Sequence, residues 1–388
     1  SQRAASRAWI TIFNRLDTYL RENCPRTRLL GPCLASSTFF SWGGWQDWTV
    51  PVLKDAKYPL EHFNYHCYQT PAYTQLAWLE MLQAQAEALD RPRPRAVVTE
   101  MNYRLKNDAR EVSRQRVNWW AEQLFTAVQN PDKIDIFNYF LLAYNPMAAS
   151  NLMTEEDGDW RPNDTYWLYW TLRNLRGRLV YVPPVMDTRM KIVAAAPAED
   201  ELVVAMFNDA DQARTCSIRV PGTDQSSVAS RFARFENDVE PISHGETTAQ
   251  LSDDVLSVAL QPGEVRTVHY RLSAPVTEPV TLRQETFYSP TFARSFDRDL
   301  SVKIPVRRTP NPDETAWLRV GITSQDLLAA RGLQVVMNNQ SRSVYWNQAP
   351  PQQQDNQRSV WWMQLPVDRE DVKRGNRLVF KNPDTRYR

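Results

Sequence analysis

What most constrains this chain is a change of texture at Val180. Up to Leu179, long runs with helical periodicity alternate with short apolar runs of strand length. Beyond it come only short alternating runs, such as "ELVVAMFNDA", "TCSIRVPG" and "VLSVALQPGEVRTVHYRL", punctuated by Pro, Gly, Asp and Asn. Alternating helices and strands call for a parallel sheet with crossover helices. Strands that follow one another with turn residues between them call for antiparallel sheets.

The first part opens with "AASRAWITIFNRLDTYL", where helical spacing predicts one face of Trp9, Ile12, Phe13, Leu16 and Leu20. Strand candidates follow at Arg28–Ala35, in "HFNYHCYQT", in "AVVTE" and in "KIDIFNYFLLAYN". Between them lie two more helical runs, "AYTQLAWLEMLQAQAEAL" and "REVSRQRVNWWAEQLFTAV". The stretches "SSTFFSWGGWQDWTVP" and "MTEEDGDWRPND" read as loops. A closing helix, "NDTYWLYWTLRNLRGRL", has Asn163 or Asp164 as its cap and Gly177 near its end. The order α-β-α-β-α-β-α fits four units of a (β/α) barrel, whereas a whole barrel needs eight, typically ~250 residues.

The expected fold class is therefore α/β plus all-β, in three parts. Residues 1–179 form the second half of a (β/α)8 TIM barrel, residues 180–274 a β-sandwich and residues 275–388 a second β-sandwich, with "SAPVTEPV" as linker. The chain opens straight into a helix, without Met, a basic n-region or an apolar h-region. That suits a chain cut inside a domain, or a processed one.

The net charge of +1 sets up no strong field for nucleic acid or an anionic membrane, and no apolar run approaches the ~20 residues of a membrane span. Cys24, Cys33, Cys67 and Cys216 form no CxxC pair, and the four histidines make no HExxH motif, so neither a metal nor any other cofactor is expected. A Cys24–Cys33 bridge and reduced thiols both remain open. GxSxG, P-loop and GxGxxG motifs are missing too.

In a (β/α) barrel, chemistry sits at the C-terminal ends of the strands. Glu100 ends the third strand beside Asn102, Tyr103 and Arg104, three side chains expected to bind substrate. Pattern alone leaves it equally a catalytic carboxylate or a strand-end acid paired with a nearby arginine. His66 and Tyr68 end the second strand on one face, with Tyr65 on the other, and both can donate to a carboxylate and orient it. Trp42, Trp45 and Trp48 crowd into a Gly-bearing stretch with Gln46 and Asp47. Indole faces stack on the C–H faces of sugars, so a saccharide cleft is expected to use one or two of the three. Tyr144 and Asn145 follow the fourth strand, and Trp160 with Arg161 lies beyond it, all within expected reach of a substrate; the acidic run around Glu155 reads as solvated.

Together these residues resemble a known group. "VVTEMNYR", preceded by "FNYHCYQ", resembles strands seven and six of clan A glycoside hydrolases, whose seventh strand ends in the nucleophile glutamate, matched here by Glu100. The runs "FNYFLLAYNPMAASNLM" and "NDTYWLYWTLRNLRGRLV", followed by β-rich segments, resemble glycoside hydrolase family 86, the β-agarases and β-porphyranases of red-algal galactans. The resemblance implies a retaining double displacement and a secreted or periplasmic protein, since such galactans are too large to enter a cell. It also implies a monomer whose partner is a polysaccharide or oligosaccharide. Clan A enzymes carry the acid/base as Glu after Asn on strand four. The sequence holds no Asn-Glu dipeptide, so that group is expected upstream of Ser1. Two alternatives stay open: a xylosidase- or arabinofuranosidase-like enzyme of the same clan, and a non-catalytic carbohydrate-binding protein.

Overall fold

The structure, a computed structural model, describes residues 2–103, 110–143, 151–180, 182, 189–237, 241–275, 285–289, 299–312, 314, 316–323, 334–342 and 360–381. The chain divides into two compact units. One comprises Ser1–Tyr65, Tyr73–Val97 and Gln284–Arg388; the other comprises His66–Ala72 and Val98–Arg283. The Gln-rich stretch 348–358 and most of the expected linker lie outside the described residues.

The first unit begins with α1 (Gln2–Asn23) and β1 (Gly31–Leu34). Helix α1 buries Ser6, Ile10, Phe13 and Asp17, while Ile12 is 65% and Leu16 45% exposed. The expected face, which grouped Ile12 and Leu16 with Phe13, is corrected: the helix is rotated. Trp9 is left at the edge of the buried face, in close approach to Gly31. A Cβ there would come within 2.6 Å of the indole, and Trp9 in turn stacks on Phe13 with ring centroids 4.6 Å apart.

The stretch read as a loop is helical. It forms α2 (Ser36–Phe39), α3 (Trp42–Gly44), a π turn (Trp45–Thr49) and α4 (Val50–Asp55). Gly44 belongs there for contact rather than flexibility, because a Cβ would lie 1.9 Å from the Thr38 carbonyl oxygen. Pro51 comes directly after the π turn, with Thr49 and Val50 before it both in the right-handed helical region. These turns seal an aromatic core. Phe39 stacks on Tyr65 at 4.1 Å, and Trp45 meets Trp78 at 5.6 Å.

Strand β2 (His62–Tyr68), helix α5 (Ala72–Ala88) and strand β3 (Arg95–Asn102) come next, then α6 (Arg110–Gln129) and β4 (Ile134–Tyr139). The sheet order is β1-β2-β3-β4, and β1 and β2 run parallel with Gly31 opposite Phe63. Strands β2 and β3 pass from the first unit into the second, so their C-terminal ends belong with α6 and β4.

In the second unit "MTEEDGDWRPND" is a hairpin rather than a loop, β5 (Met153–Glu156) with β6 (Asp159–Pro162). Asp157 and Gly158 both have positive φ (54° and 85°), as a two-residue Asp-Gly turn requires. Helix α7 (Asp164–Leu172) and strand β7 (Arg178–Val180) lead into β8 (Met190–Ala196), β9 (Glu201–Asn208), β10 (Arg214–Arg219), β11 (Ser227–Arg234), β12 (Ser243–Ser252), β13 (Val255–Leu260) and β14 (Val265–Arg271). They form one sheet, β10-β13-β12-β11-β14-β9-β8-β7. Long β12 pairs with β11 along residues 243–250 and with β13 only at Leu251 and Ser252. Cys216 and Leu256, from one end of the sheet, share a core with Met206, Val268 and Tyr270. The other face meets α7, where Thr267 Oγ1 donates to the Thr171 carbonyl at 3.0 Å.

The end of the chain returns to the first unit as β15 (Leu300–Pro305), β16 (Ala316–Thr323), β17 (Gln334–Met337), β18 (Gln340–Arg342), β19 (Val360–Val367) and β20 (Gly375–Lys381). The sheet β15-β20-β17-β18 and the pair β16-β19 enclose Val302, Leu318, Val335, Leu378 and Phe380.

Candidate active site

The C-terminal ends of β2 and β3 bring three polar side chains together. Tyr68 donates its phenol to Glu100 Oε1, and His66 Nδ1 lies 3.1 Å from Glu100 Oε2. Period-2 geometry puts His66 and Tyr68 on the same face of β2, so each carboxylate oxygen meets its own donor. Both His66 and Glu100 keep about a quarter of their side-chain surface open, 25% and 23%. A carboxylate held by two directed donors and still reachable can attack an electrophilic carbon. Proton on Nδ1 is the histidine tautomer that this contact selects.

Cys67 lies between the two donors but on the opposite face, wholly buried. Burial pushes its thiol up to about 12, against a lowering by hydrogen bonds to Thr70, so it is no nucleophile. Tyr65 is buried as well, its phenol oxygen accepting from Gln75 Nε2 at 2.8 Å.

Around the cluster the backbone is tightly held. Gln69 N donates to the Asn102 carbonyl at 3.2 Å and Phe140 N to the Met101 carbonyl at 2.8 Å. Asn102 is 1% exposed; its Nδ2 donates to the Phe140 carbonyl, and its Oδ1 accepts from Tyr103 N at 2.7 Å. The expectation that Asn102 binds substrate is corrected: both ends of its amide serve neighbouring backbone. Tyr103 is half-buried against Trp119, ring centroids 5.7 Å apart. Burial raises the phenol pKa of Tyr103, with an opposing pull from the Arg116 charge. Tyr139 at the end of β4 is raised for the same reason, opposed by Arg116 and by hydrogen bonds to Thr165 and Asn102.

The indole stretch divides. Trp45 is 1% exposed and locked against Trp78, so it is not among the one or two indoles expected to stack on sugar. Trp48 is half-buried and meets Trp9 edge-on at 6.5 Å. The side chain of Trp42 lies outside the described part of the structure, as do Arg104, Tyr144 and Asn145 altogether. Trp160 stands 55% exposed on the β5–β6 hairpin, opposite Glu155, and Arg161 pairs with Glu156 at 3.1 Å. Among the described residues, no group of three or more His, Cys, Asp and Glu side chains is placed to hold a metal. No helix among them is long and apolar enough to cross a membrane.

Sequence reasoning missed three residues of α6. Arg116, Trp119 and Gln123 are buried (4%, 8% and 3% exposed) and recur at i, i+3 and i+7 on the same side. A polar stripe on a buried helix face was the available signal.

No family model matches the chain, and no curated protein matches it. Solved structures do. A β-porphyranase of glycoside hydrolase family 86 from the human gut bacterium Bacteroides plebeius superposes with a TM-score of 0.78 at 16% identity, over 98% of this chain and 72% of that one. BuGH86, crystallised with neoagarooctaose, gives 0.77 at 14% identity, over 98% of this chain and 66% of its own. The fold is that of the family 86 enzymes. An α-L-arabinofuranosidase from Thermotoga maritima, in complex with arabinose, is more distant: TM-score 0.55 and 14% identity, over 70% of this chain and 62% of that one. The chain spans about two-thirds of the length of these family 86 structures, and at such identities the likeness is one of fold.

Proposed function

We propose that this chain is the C-terminal part of a retaining glycoside hydrolase acting on β-linked red-algal galactan of the agarose or porphyran type, with Glu100 as nucleophile. The observation that carries the reading is the Glu100 carboxylate, open at a strand end with one donor on each oxygen. The likeness in fold to a β-porphyranase and to a neoagarooctaose complex supports the substrate class.

The chemistry follows from that geometry. Glu100 attacks the anomeric carbon while a second carboxylic acid, ~5–5.5 Å away, protonates the departing glycosidic oxygen. The same second group then takes a proton from water, which attacks the anomeric carbon and releases Glu100. Tyr68 and His66 hold the carboxylate aimed before attack, one on each oxygen, and keep it a competent leaving group afterwards. With no Asn-Glu dipeptide in the sequence, the acid/base is assigned to a segment upstream of Ser1. Tyr103, Trp48 and Trp160 remain as candidate sugar contacts, and Trp42, Arg104, Tyr144 and Asn145 join them on sequence position.

The reading includes a half-barrel over 1–179 and β-sandwiches over 180–274 and 275–388, with action outside the cell, where such polymers are found. Limited proteolysis that cuts first near residues 180 and 275 would support those boundaries. The decisive test is hydrolysis. The 388-residue chain is expected to leave agarose and porphyran intact; the same chain carrying its upstream strands is expected to cleave one of them with retention, and Glu100→Gln to abolish that. Hydrolysis by the 388-residue chain alone would overturn the assignment of the acid/base, and activity that survives Glu100→Gln would overturn the nucleophile.

A further inference from the structure

Helix α6 reaches the strand ends with side chains rather than with its backbone. Two of them converge on one atom. Trp119 Nε1 donates to the Thr70 carbonyl oxygen at 2.8 Å, and Gln123 Nε2 donates to the same oxygen at 2.7 Å. All three residues are buried, Thr70 completely. Their neighbour Arg116 holds the other strand end, its Nε donating to the Tyr103 carbonyl at 3.4 Å.

Thr70 is two residues beyond Tyr68. Its hydroxyl donates back to the Tyr68 carbonyl at 3.2 Å, and Gln69 between them has φ of 54° and donates its N–H to the Asn102 carbonyl. Gln69 is not glycine, so this left-handed residue persists only if its flanks are fixed from outside. The short path from Thr70 to Tyr68 therefore transmits where α6 holds Thr70 to where the Tyr68 phenol lies. That phenol and the His66 ring two residues before it are the two donors on Glu100. A carbonyl has two lone pairs, and here both are taken by rigidly mounted side chains, one of them an indole packed against Tyr103.

We propose that Trp119 and Gln123 are positioning residues: through the doubly accepted Thr70 carbonyl they set the Tyr68 and His66 donors on Glu100. The ordinary reason for two buried donors on one carbonyl is fold stability. It does not require them to act at the one turn that follows the Glu100 donors, nor an arginine on the same helix face to hold the turn after Glu100. The proposal rests on the reading of Glu100 as the reacting group, but its test reads geometry and needs no turnover.

The experiment is ring 15N–1H correlation spectroscopy of His66 in the full 388-residue chain. Trp119→Phe keeps the ring packing and removes one N–H, and Gln123→Met keeps the length and removes the other. Glu100→Gln serves as the reference for a lost carboxylate contact. In the unaltered protein the His66 signal is expected from the single tautomer with its proton on Nδ1. Each variant is expected to move that signal towards the Glu100→Gln reference, and the double variant further. Variants that melt at lower temperature yet keep the unaltered His66 signal would overturn the proposal, because the bonds would then serve the fold alone. Failure of Trp119→Phe to fold, read by circular dichroism, would overturn it for the same reason. Loss of the hydrolase reading through the polysaccharide assay, with the His66 shifts as expected, leaves the positioning intact.

Discussion

Replacing Trp45 by alanine separates the core reading of the indole stretch from the sugar-cleft reading. The Trp45 side chain is 1% exposed, with Trp78 as its ring partner at 5.6 Å. An indole buries on the order of 200 Å², which at ~25 cal/mol per Å² is about 5 kcal/mol. A compact unfolded chain already hides part of that area, bringing the figure to about 3–4 kcal/mol before the cavity is counted. Trp48 is half-buried and meets Trp9 edge-on, so its loss should cost about 1–2 kcal/mol by the same arithmetic. Urea titration followed by far-ultraviolet circular dichroism reads both, with the midpoint moving and the slope nearly constant. The reasoning fails if Trp45→Ala unfolds within about 1 kcal/mol of the parent, or if Trp48→Ala costs as much. A stable Trp45→Ala variant that loses oligosaccharide binding would restore the cleft.

Three further outcomes are expected. In the catalytically complete protein, Tyr68→Phe should lower kcat/KM about ten- to a hundredfold, since a hydrogen bond to a charged group contributes roughly 1.5–3 kcal/mol; unchanged kinetics would remove Tyr68 from the site. Gly177→Ala should destabilise by more than about 1 kcal/mol, because φ is +86° and a Cβ would lie 2.3 Å from the Ala196 carbonyl oxygen, whereas Gly158→Ala, with open space around it, should cost only the turn strain of about 1 kcal/mol; thermal melting compares the two. Exposed Cys24 and Cys33 should react with a disulfide reagent at pH 8 well before buried Cys67 and Cys216. Because Cys67 holds its proton up to about 12 when folded, against 9.0 ordinarily, its contribution to stability is complete below pH 9 and falls as pH rises from there towards 12; a melting temperature flat across that range in the parent but not in Cys67→Ala would contradict this.

The polar cluster was legible wherever a strand's alternation could be read directly. His66 and Tyr68 stand two apart at the end of an apolar run, and Glu100 closes the next such run, so their common faces follow from the backbone period. The Asp-Gly turn at Asp157 was equally legible, yet the surrounding charges had marked the segment as a loop. Trp45 and Asn102 were misassigned for one reason. Each carries a group suited to sugars, and residue type does not say whether that group faces solvent or a neighbouring backbone.

The amino-acid sequence by itself determined the alternation of the long helices and strands up to Leu179, the break in texture at Val180 and the shared face of His66 and Tyr68, because these follow from local periodicity. Only the tertiary structure decided which face α1 buries, since Ile10 and Ile12 are both apolar and the helical period alone does not choose between their sides. It alone joined Trp119 and Gln123 to a carbonyl 49 and 53 residues away. Buried donors must find acceptors wherever packing brings them, and no spacing within a helix says which distant strand end will supply the acceptor.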